Sequence, residues 1–196
     1  MTHRMGSGET LTKAAGEKLG KALRSFEGQA RFIELDIEPL PEPGVLKVFL
    51  QGVKEKFGPD LKLTLATPFL SPRKTEAISW DQTQFEQTIP LVDGLEVMVY
   101  DTGAQTEAQY LAHFENALNA VETWKERYPQ KVFTVGVPAY PDKTKLHLPQ
   151  VENLSVIAKS KLLEKFPSAR LAIYAGWTMT EKDHSVSTTV KSSAFR

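Results

Sequence analysis

Five short apolar runs, at residues 32–38, 61–67, 95–101, 132–138 and 171–177, constrain the fold more than any other feature of this chain. Their starts lie about 30–40 residues apart, the length of one strand-plus-helix unit. Each run is too short for a helix and nearly continuous in apolar residues, as strands covered on both faces are. The stretches between them change period. Residues 11–26 carry Leu11, Leu19, Leu23 and Phe26 at helical spacing. Residues 45–57 follow Pro43, a residue suited to a first helical turn. Asp81 is placed to cap a short helix ending at Ile89. Residues 106–128 align Tyr110, Leu111, Phe114, Leu118, Val121 and Trp124 on one stripe, and residues 149–166 end before Pro167.

Helix and strand alternating five times predict an α/β fold, a parallel sheet covered by helices. An open doubly wound sheet and part of a (β/α) barrel both satisfy the pattern, and both place chemistry beyond the C-terminal strand ends. No G-x-G-x-x-G follows a strand, and no G-x-x-x-x-G-K-[ST] occurs. Gly6-Ser7-Gly8 has no apolar run before it and reads as part of a frayed terminus. The dinucleotide-binding sheet loses ground accordingly.

Composition narrows the function. Lys plus Arg and Asp plus Glu each total 24, so the net charge is zero. A general affinity for nucleic acid or an anionic membrane needs a basic excess, and neither partner is expected. With 41% hydrophobic and 24% charged residues the 196-residue chain is an ordinary globular composition, treated as one domain over 1–196. It has no cysteine, hence no disulfide, thiol nucleophile or Cys-ligated zinc. No apolar run reaches the roughly 18 residues of a membrane span. The first 30 residues are polar and lack the apolar core of a secretory signal. Taken as complete, the chain is expected in the cytoplasm; with an upstream export signal it would be exported or belong to the cell envelope.

The sharpest local feature is Arg31-Phe32-Ile33-Glu34-Leu35-Asp36-Ile37-Glu38-Pro39. Side chains alternate across a strand, so Glu34, Asp36 and Glu38 share one face and Ile33, Leu35 and Ile37 the other. Three acids on one face are costly unless hydrogen-bonded, protonated or open to a wet cavity. Their repulsion should raise at least one pKa, as a general acid near neutral pH requires. The same alternation also fits the solvated face of an antiparallel edge strand, whereas an interior strand of a helix-covered parallel sheet leaves no face in water.

Further strand ends carry Met98, Tyr100 and Asp101, then Gly136-Val137-Pro138-Ala139-Tyr140, then Trp177. Met98 and Tyr100 fit a core face or an active site. Trp177 suits either stacking on a sugar or base, or a plug at the end of the core. Trp80 and Trp124 read as packing. His3, His113, His147 and His184 show no ligand spacing, so no metal site and no cofactor are predicted. His147 reads as a solvated loop residue.

In this order the motifs resemble glycoside hydrolase family 18, the chitinase-like (β/α)8 barrels. The family's fourth strand carries D-x-x-D-x-D-x-E, and the matching span here is Arg31-x-x-Glu34-x-Asp36-x-Glu38. The final D-x-E is intact; the second acid is Glu and the first position Arg. The sixth-strand M-x-Y-D is matched by Met98-Val99-Tyr100-Asp101, the seventh by Gly136 through Tyr140, and the eighth by Trp177. The resemblance runs from about Leu11 to Trp177.

It implies a glycosidase of β-linked N-acetylhexosamine glycans, chitin or peptidoglycan, working by substrate-assisted retention. The substrate's acetamido oxygen then replaces an enzyme nucleophile, an exception to the two-carboxylate scheme. Glu38 would protonate the glycosidic oxygen, and Asp36 would bond Glu38 and orient the N-acetyl group. Tyr100 would bond the forming oxazolinium ring. Glu34, Met98, Asp101, Tyr140 and Trp177 would line the substrate subsite. A non-catalytic carbohydrate-binding relative, or an inactive barrel fragment, is the alternative. A (β/α)8 barrel takes about 250 residues. The chain aligns with strands four to eight only, so the first three βα units are expected upstream of Met1. Five units expose two sheet edges, which self-association would cover.

Overall fold

The computed structural model describes residues 2–4, 10–38, 41–71, 79–138, 164–166 and 170–174. In chain order the elements are β1 (Thr2–Arg4), α1 (Lys13–Leu23), β2 (Phe32–Asp36), α2 (Pro43–Lys56) and β3 (Lys62–Thr67). There follow β4 (Phe69–Leu70), β5 (Ser79–Trp80), α3 (Gln82–Thr88), β6 (Gly94–Met98), α4 (Glu107–Arg127), β7 (Val132–Pro138) and β8 (Arg170–Tyr174). The main sheet has the order β1-β2-β3-β6-β7-β8, and β4 pairs with β5 separately. Pairings of β1 with β2, β2 with β3 and β7 with β8 are parallel. Apart from the small β4–β5 pair, strands neighbour in chain order, as consecutive βα units of a barrel do; a doubly wound sheet would reverse direction. β1 and β8 end the sheet, so among the described residues this α/β fold is an incomplete barrel of the TIM type.

All five predicted strands form, and the main sheet has a sixth that the apolar pattern does not show, as is also true of the separate β4–β5 pair. β1 precedes Gly6-Ser7-Gly8 and pairs with β2 through Thr2, His3 and Arg4. A strand held at a sheet edge by backbone bonds needs no apolar run, and polar residues there are common. The predicted helix at 149–166 lies almost wholly outside the described residues.

Two compact units make up the chain. The first comprises Met1–Thr67, Trp80–Glu96 and Gln130–Val132; the second comprises Pro68–Ser79, Val97–Pro129 and Phe133–Arg196. In the first, Ile33, Leu35, Ile37, Leu63 and Leu65 from the strands and Leu46, Phe49, Leu50 and Val53 from α2 are fully buried. The opposite strand face, with Glu34, Asp36, Thr64 and Glu96, is half-buried.

Helix α1 departs from the expected leucine stripe. Its buried residues are Gly16, Gly20 and Leu23, while Leu11, Leu19 and Phe26 remain half-exposed. A Cβ on Gly16 would overlap the Phe49 carbonyl, and one on Gly52 of α2 would overlap the Lys13 carbonyl. The helices approach backbone to backbone because these positions carry no side chain. Lys13 and Glu55 close the contact at 2.7 Å. Pro43 opens α2 and Asp81 caps α3 through a reciprocal box with Gln84, both as predicted.

In the second unit α4 starts at a capping box of Thr106 and Gln109. Tyr110, Phe114, Leu118, Val121 and Trp124 are buried as the stripe predicts, with Leu111 half-exposed. Trp124 tilts against Phe133 at 5.8 Å, and in the first unit Trp80 meets the edge of Phe85 at 5.4 Å. Both tryptophans are packing residues. Among the described residues no helix is long and apolar enough to cross a membrane.

Candidate functional site

β2 lies between β1 and β3, so the acid row does not belong to an edge strand. Along it Ile33, Leu35 and Ile37 are buried, while Glu34 and Asp36 are half-buried on the other face. The strand ends at Asp36, two residues short of the predicted end. Glu38 follows in an exposed bend just past the C-terminal strand end.

Glu34 has a partner that the motifs do not name. Its carboxyl and that of Glu96 on β6 act on each other electrostatically. β3 lies between these strands, so their backbones are about 10 Å apart, two inter-strand spacings. Burial pushes the Glu96 carboxyl up to about 7, reinforced by the Glu34 carboxyl and the Asp36 charge. Burial also raises Glu34; the Glu96 carboxyl opposes that rise and Asp36 adds to it. The signal for Glu96 is period two: it shares a strand face with Met98 and Tyr100. Nothing local, however, sets it opposite Glu34.

In the second unit, Met98 ends β6, followed by half-buried Tyr100 and exposed Asp101. The predicted strand to residue 101 stops early because the backbone turns. Asp101 has φ 56° and Gly103 φ 72°, and aspartate is among the few side chains that accept the left-handed region. Val99 anchors this turn from both sides. Its N–H donates to the Gly136 carbonyl at 2.8 Å, and its carbonyl accepts from the buried Tyr110 hydroxyl at 2.8 Å. Thr102 is buried and accepts from the Ala104 N–H at 3.3 Å.

Gly136, Val137 and Pro138 end β7 in buried positions. Tyr140, Trp177, His147 and His184 lie outside the described residues. His113 packs edge-on to Phe69 at 5.1 Å, and burial lowers its pKa. Among the described residues no three His, Cys, Asp or Glu side chains are grouped to hold a metal ion. A surface recess of about 490 Å³ lined by Gln51, Lys54, Glu55, Pro90 and Leu91 contains none of the acids of the row.

Consecutive βα units, with a carboxylate row along an interior strand and past its C-terminal end, define the class as an incomplete (β/α) barrel with a carboxylate-bearing strand end. Three solved structures share this fold. The spore cortex-lytic enzyme SleL of Bacillus cereus matches 95% of this chain and 58% of its own, at TM-score 0.60 and 12% identity. A fungal endo-β-N-acetylglucosaminidase from glycosyl hydrolase family 18 matches 95% of this chain and 67% of its own, at 0.52 and 15%. The xylanase and α-amylase inhibitor XAIP-II of Scadoxus multiflorus matches 97% of this chain and 73% of its own, at 0.51 and 12%. At such identities the likeness is one of fold. This chain spans little more than half of the cortex-lytic enzyme. No family model and no curated protein sequence matches it.

Proposed function

We propose that this chain is a glycoside-hydrolase-like protein that acts on β-linked N-acetylhexosamine glycans by substrate-assisted retaining hydrolysis. The observation that carries this reading is the placement of Asp36 and Glu38 at and just past the C-terminal end of an interior strand. In (β/α) barrels that is where catalytic side chains project. Glu38, exposed there, is the general acid that protonates the leaving oxygen. Asp36 holds Glu38 and orients the acetamido group, whose oxygen attacks the anomeric carbon. Tyr100 bonds the resulting ring, while Glu34, Met98, Asp101, Tyr140 and Trp177 line the sugar subsite. Similar folds in an endo-β-N-acetylglucosaminidase and a cortex-lytic enzyme support a chitin- or peptidoglycan-type substrate.

Glu38→Gln keeps size and removes the proton. Hydrolysis of N-acetylglucosamine oligomers should fall by about 100-fold or more, with binding of the oligomer retained. A wild-type chain that hydrolyses neither these oligomers nor cortex peptidoglycan overturns the enzymatic reading. A second reading, a carbohydrate-binding relative without turnover, is favoured by one observation: an inhibitor protein shares the fold. Oligomer binding with no hydrolysis by the wild type would select it.

A further inference from the structure

We propose that Tyr110 is a positioning residue for Tyr100: its hydroxyl, reaching out of α4, takes the place of the backbone N–H that Pro138 lacks and so fixes the peptide that delivers Tyr100 to the strand end. The role of Tyr100 toward substrate rests on the function proposed above; the hydroxyl in place of a ladder donor does not.

The missing donor follows from the sheet ladder. Val132 donates its N–H to the Asp93 carbonyl at 3.0 Å, and Val99 donates its N–H to the Gly136 carbonyl at 2.8 Å. Both partners advance along the chain from the first bond to the second, so the segment from Asp93 to Val99 runs parallel to β7. In a parallel ladder a residue that donates to one position of its neighbour accepts from the position two further on. For Val99 that position is Pro138, the last residue of β7, and proline has no N–H. The ladder therefore stops one bond short. It stops at a carbonyl in a dry place, since Val99, Val137 and Pro138 are all buried, and a buried carbonyl without a donor is costly.

Tyr110 supplies the donor. It is fully buried, and its hydroxyl donates to the Val99 carbonyl at 2.8 Å. A phenylalanine would fill the same place in the apolar stripe of α4, so packing does not account for the hydroxyl; the unmet carbonyl does. The start of α4 fixes where the ring begins. Thr106 and Gln109 form the capping box just before it, and the Tyr110 N–H donates to the Thr106 carbonyl at 3.1 Å. The Val99 carbonyl and the Tyr100 N–H belong to one planar peptide, so holding the first sets the direction in which the chain leaves β6. The left-handed turn at Asp101 follows directly.

Tyr110→Phe keeps the ring and deletes the donor. Tyr100 bonds a ring that exists only after attack, so with N-acetylglucosamine oligomers kcat should fall about tenfold while KM stays within about twofold. Pro138→Ala, added to Tyr110→Phe, returns an N–H to the Val99 carbonyl and should restore kcat to within about threefold of the wild type. A packing role for Tyr110 predicts no rescue from a change on β7. Hydrogen exchange at the Tyr100 amide should quicken in the single variant and slow again in the double. A Tyr110→Phe kcat within about twofold of the wild type, a loss confined to KM, or a double variant no better than the single overturns the positioning role. Should Tyr110→Phe fail to fold, the wild-type hydroxyl proton of Tyr110 still decides the bond by NMR: it should exchange slowly, and exchange as fast as that of an exposed phenol overturns the proposal. If the wild type hydrolyses no glycan, the proposed function falls, and exchange at the Tyr100 amide in the two variants alone decides whether Tyr110 holds it.

Discussion

Asp93 and Glu96 stand three residues apart at the two ends of one short stretch, and their surroundings are opposite. Asp93 meets donors. Its Oδ2 accepts the Leu63 N–H at 3.0 Å, Lys54 stands 3.5 Å away, and its backbone bonds Leu63 on one side and Val132 on the other. Glu96 meets acids, Glu34 and Asp36. Asp93 occupies the N-terminal end of the strands, the end where barrels hold residues for stability. Glu96 lies further along, on the face that leads to Asp36. Both are half-buried acids in one segment, so the partner atoms, not the residue type, separate a joint in the frame from a group poised to exchange a proton.

The sharpest way to break the contrast is to remove Asp93. Asp93→Ala leaves the Leu63 N–H without its acceptor and removes the carboxylate 3.5 Å from Lys54. Burial lowers the pKa of Lys131, whose Nζ donates to the Val92 carbonyl, and the Asp93 charge opposes that fall. The expected loss is about 1–3 kcal/mol in urea denaturation. Asp93→Asn, which keeps an acceptor, should recover about half of it. A loss below about 1 kcal/mol would show that Asp93 does not hold the strands.

Glu96 should behave in the reverse manner. Its folded pKa is raised, so between the ordinary carboxylate value of 4.5 and about 7 the folded state binds more protons than the unfolded. Stability must then fall as pH rises through that window and level off above it. Glu96→Gln, uncharged at every pH, should melt close to the wild type near pH 5 and stabilise the chain at pH 8 by about 2–3 kcal/mol, a rise from 4.5 to about 7 being worth roughly that much. Thermal melts across pH 5–8 check this. A wild-type curve that rises over that range contradicts it.

The same contrast explains what was legible in the sequence. Ile33, Leu35, Leu63, Val97 and Val135 announce strands because burial on a helix-covered sheet demands apolar residues at those positions. The caps at Asp81 and Thr106 are read within four residues of chain. Thr2–Arg4 is a strand only because β2 offers it a backbone. Gly16 and Gly20 replace the expected leucines in the α1 contact because α2 comes too close for a Cβ, a fact about a helix some thirty residues away. In the candidate site Asp36 and Glu38 are legible by alternation along one strand. Glu96 is not: its meaning comes from Glu34, across a strand between them, and single-strand periodicity contains no register. Tyr140 and Trp177 lie beyond the described residues, so their roles rest on motif order alone.

The smallest expected effect comes from Lys54, and it separates the two kinds of partner Asp93 has. The Lys54 side chain is 40% exposed and the pair is long at 3.5 Å, so solvent and salt screen most of its attraction. Lys54→Met keeps the length of the stem and removes the charge. The expected cost is about 0.5 kcal/mol or less, and it should vanish in high salt. The backbone bond from Leu63 has no such screening, because it ties the first residues of β3 to the residue that leads into β6. If Lys54→Met instead costs as much as Asp93→Ala, the acid is held by its cation and the strands are not joined through its carboxylate. Asp93 would then differ from Glu96 only in the sign of the neighbouring charge, and not in being part of the backbone frame.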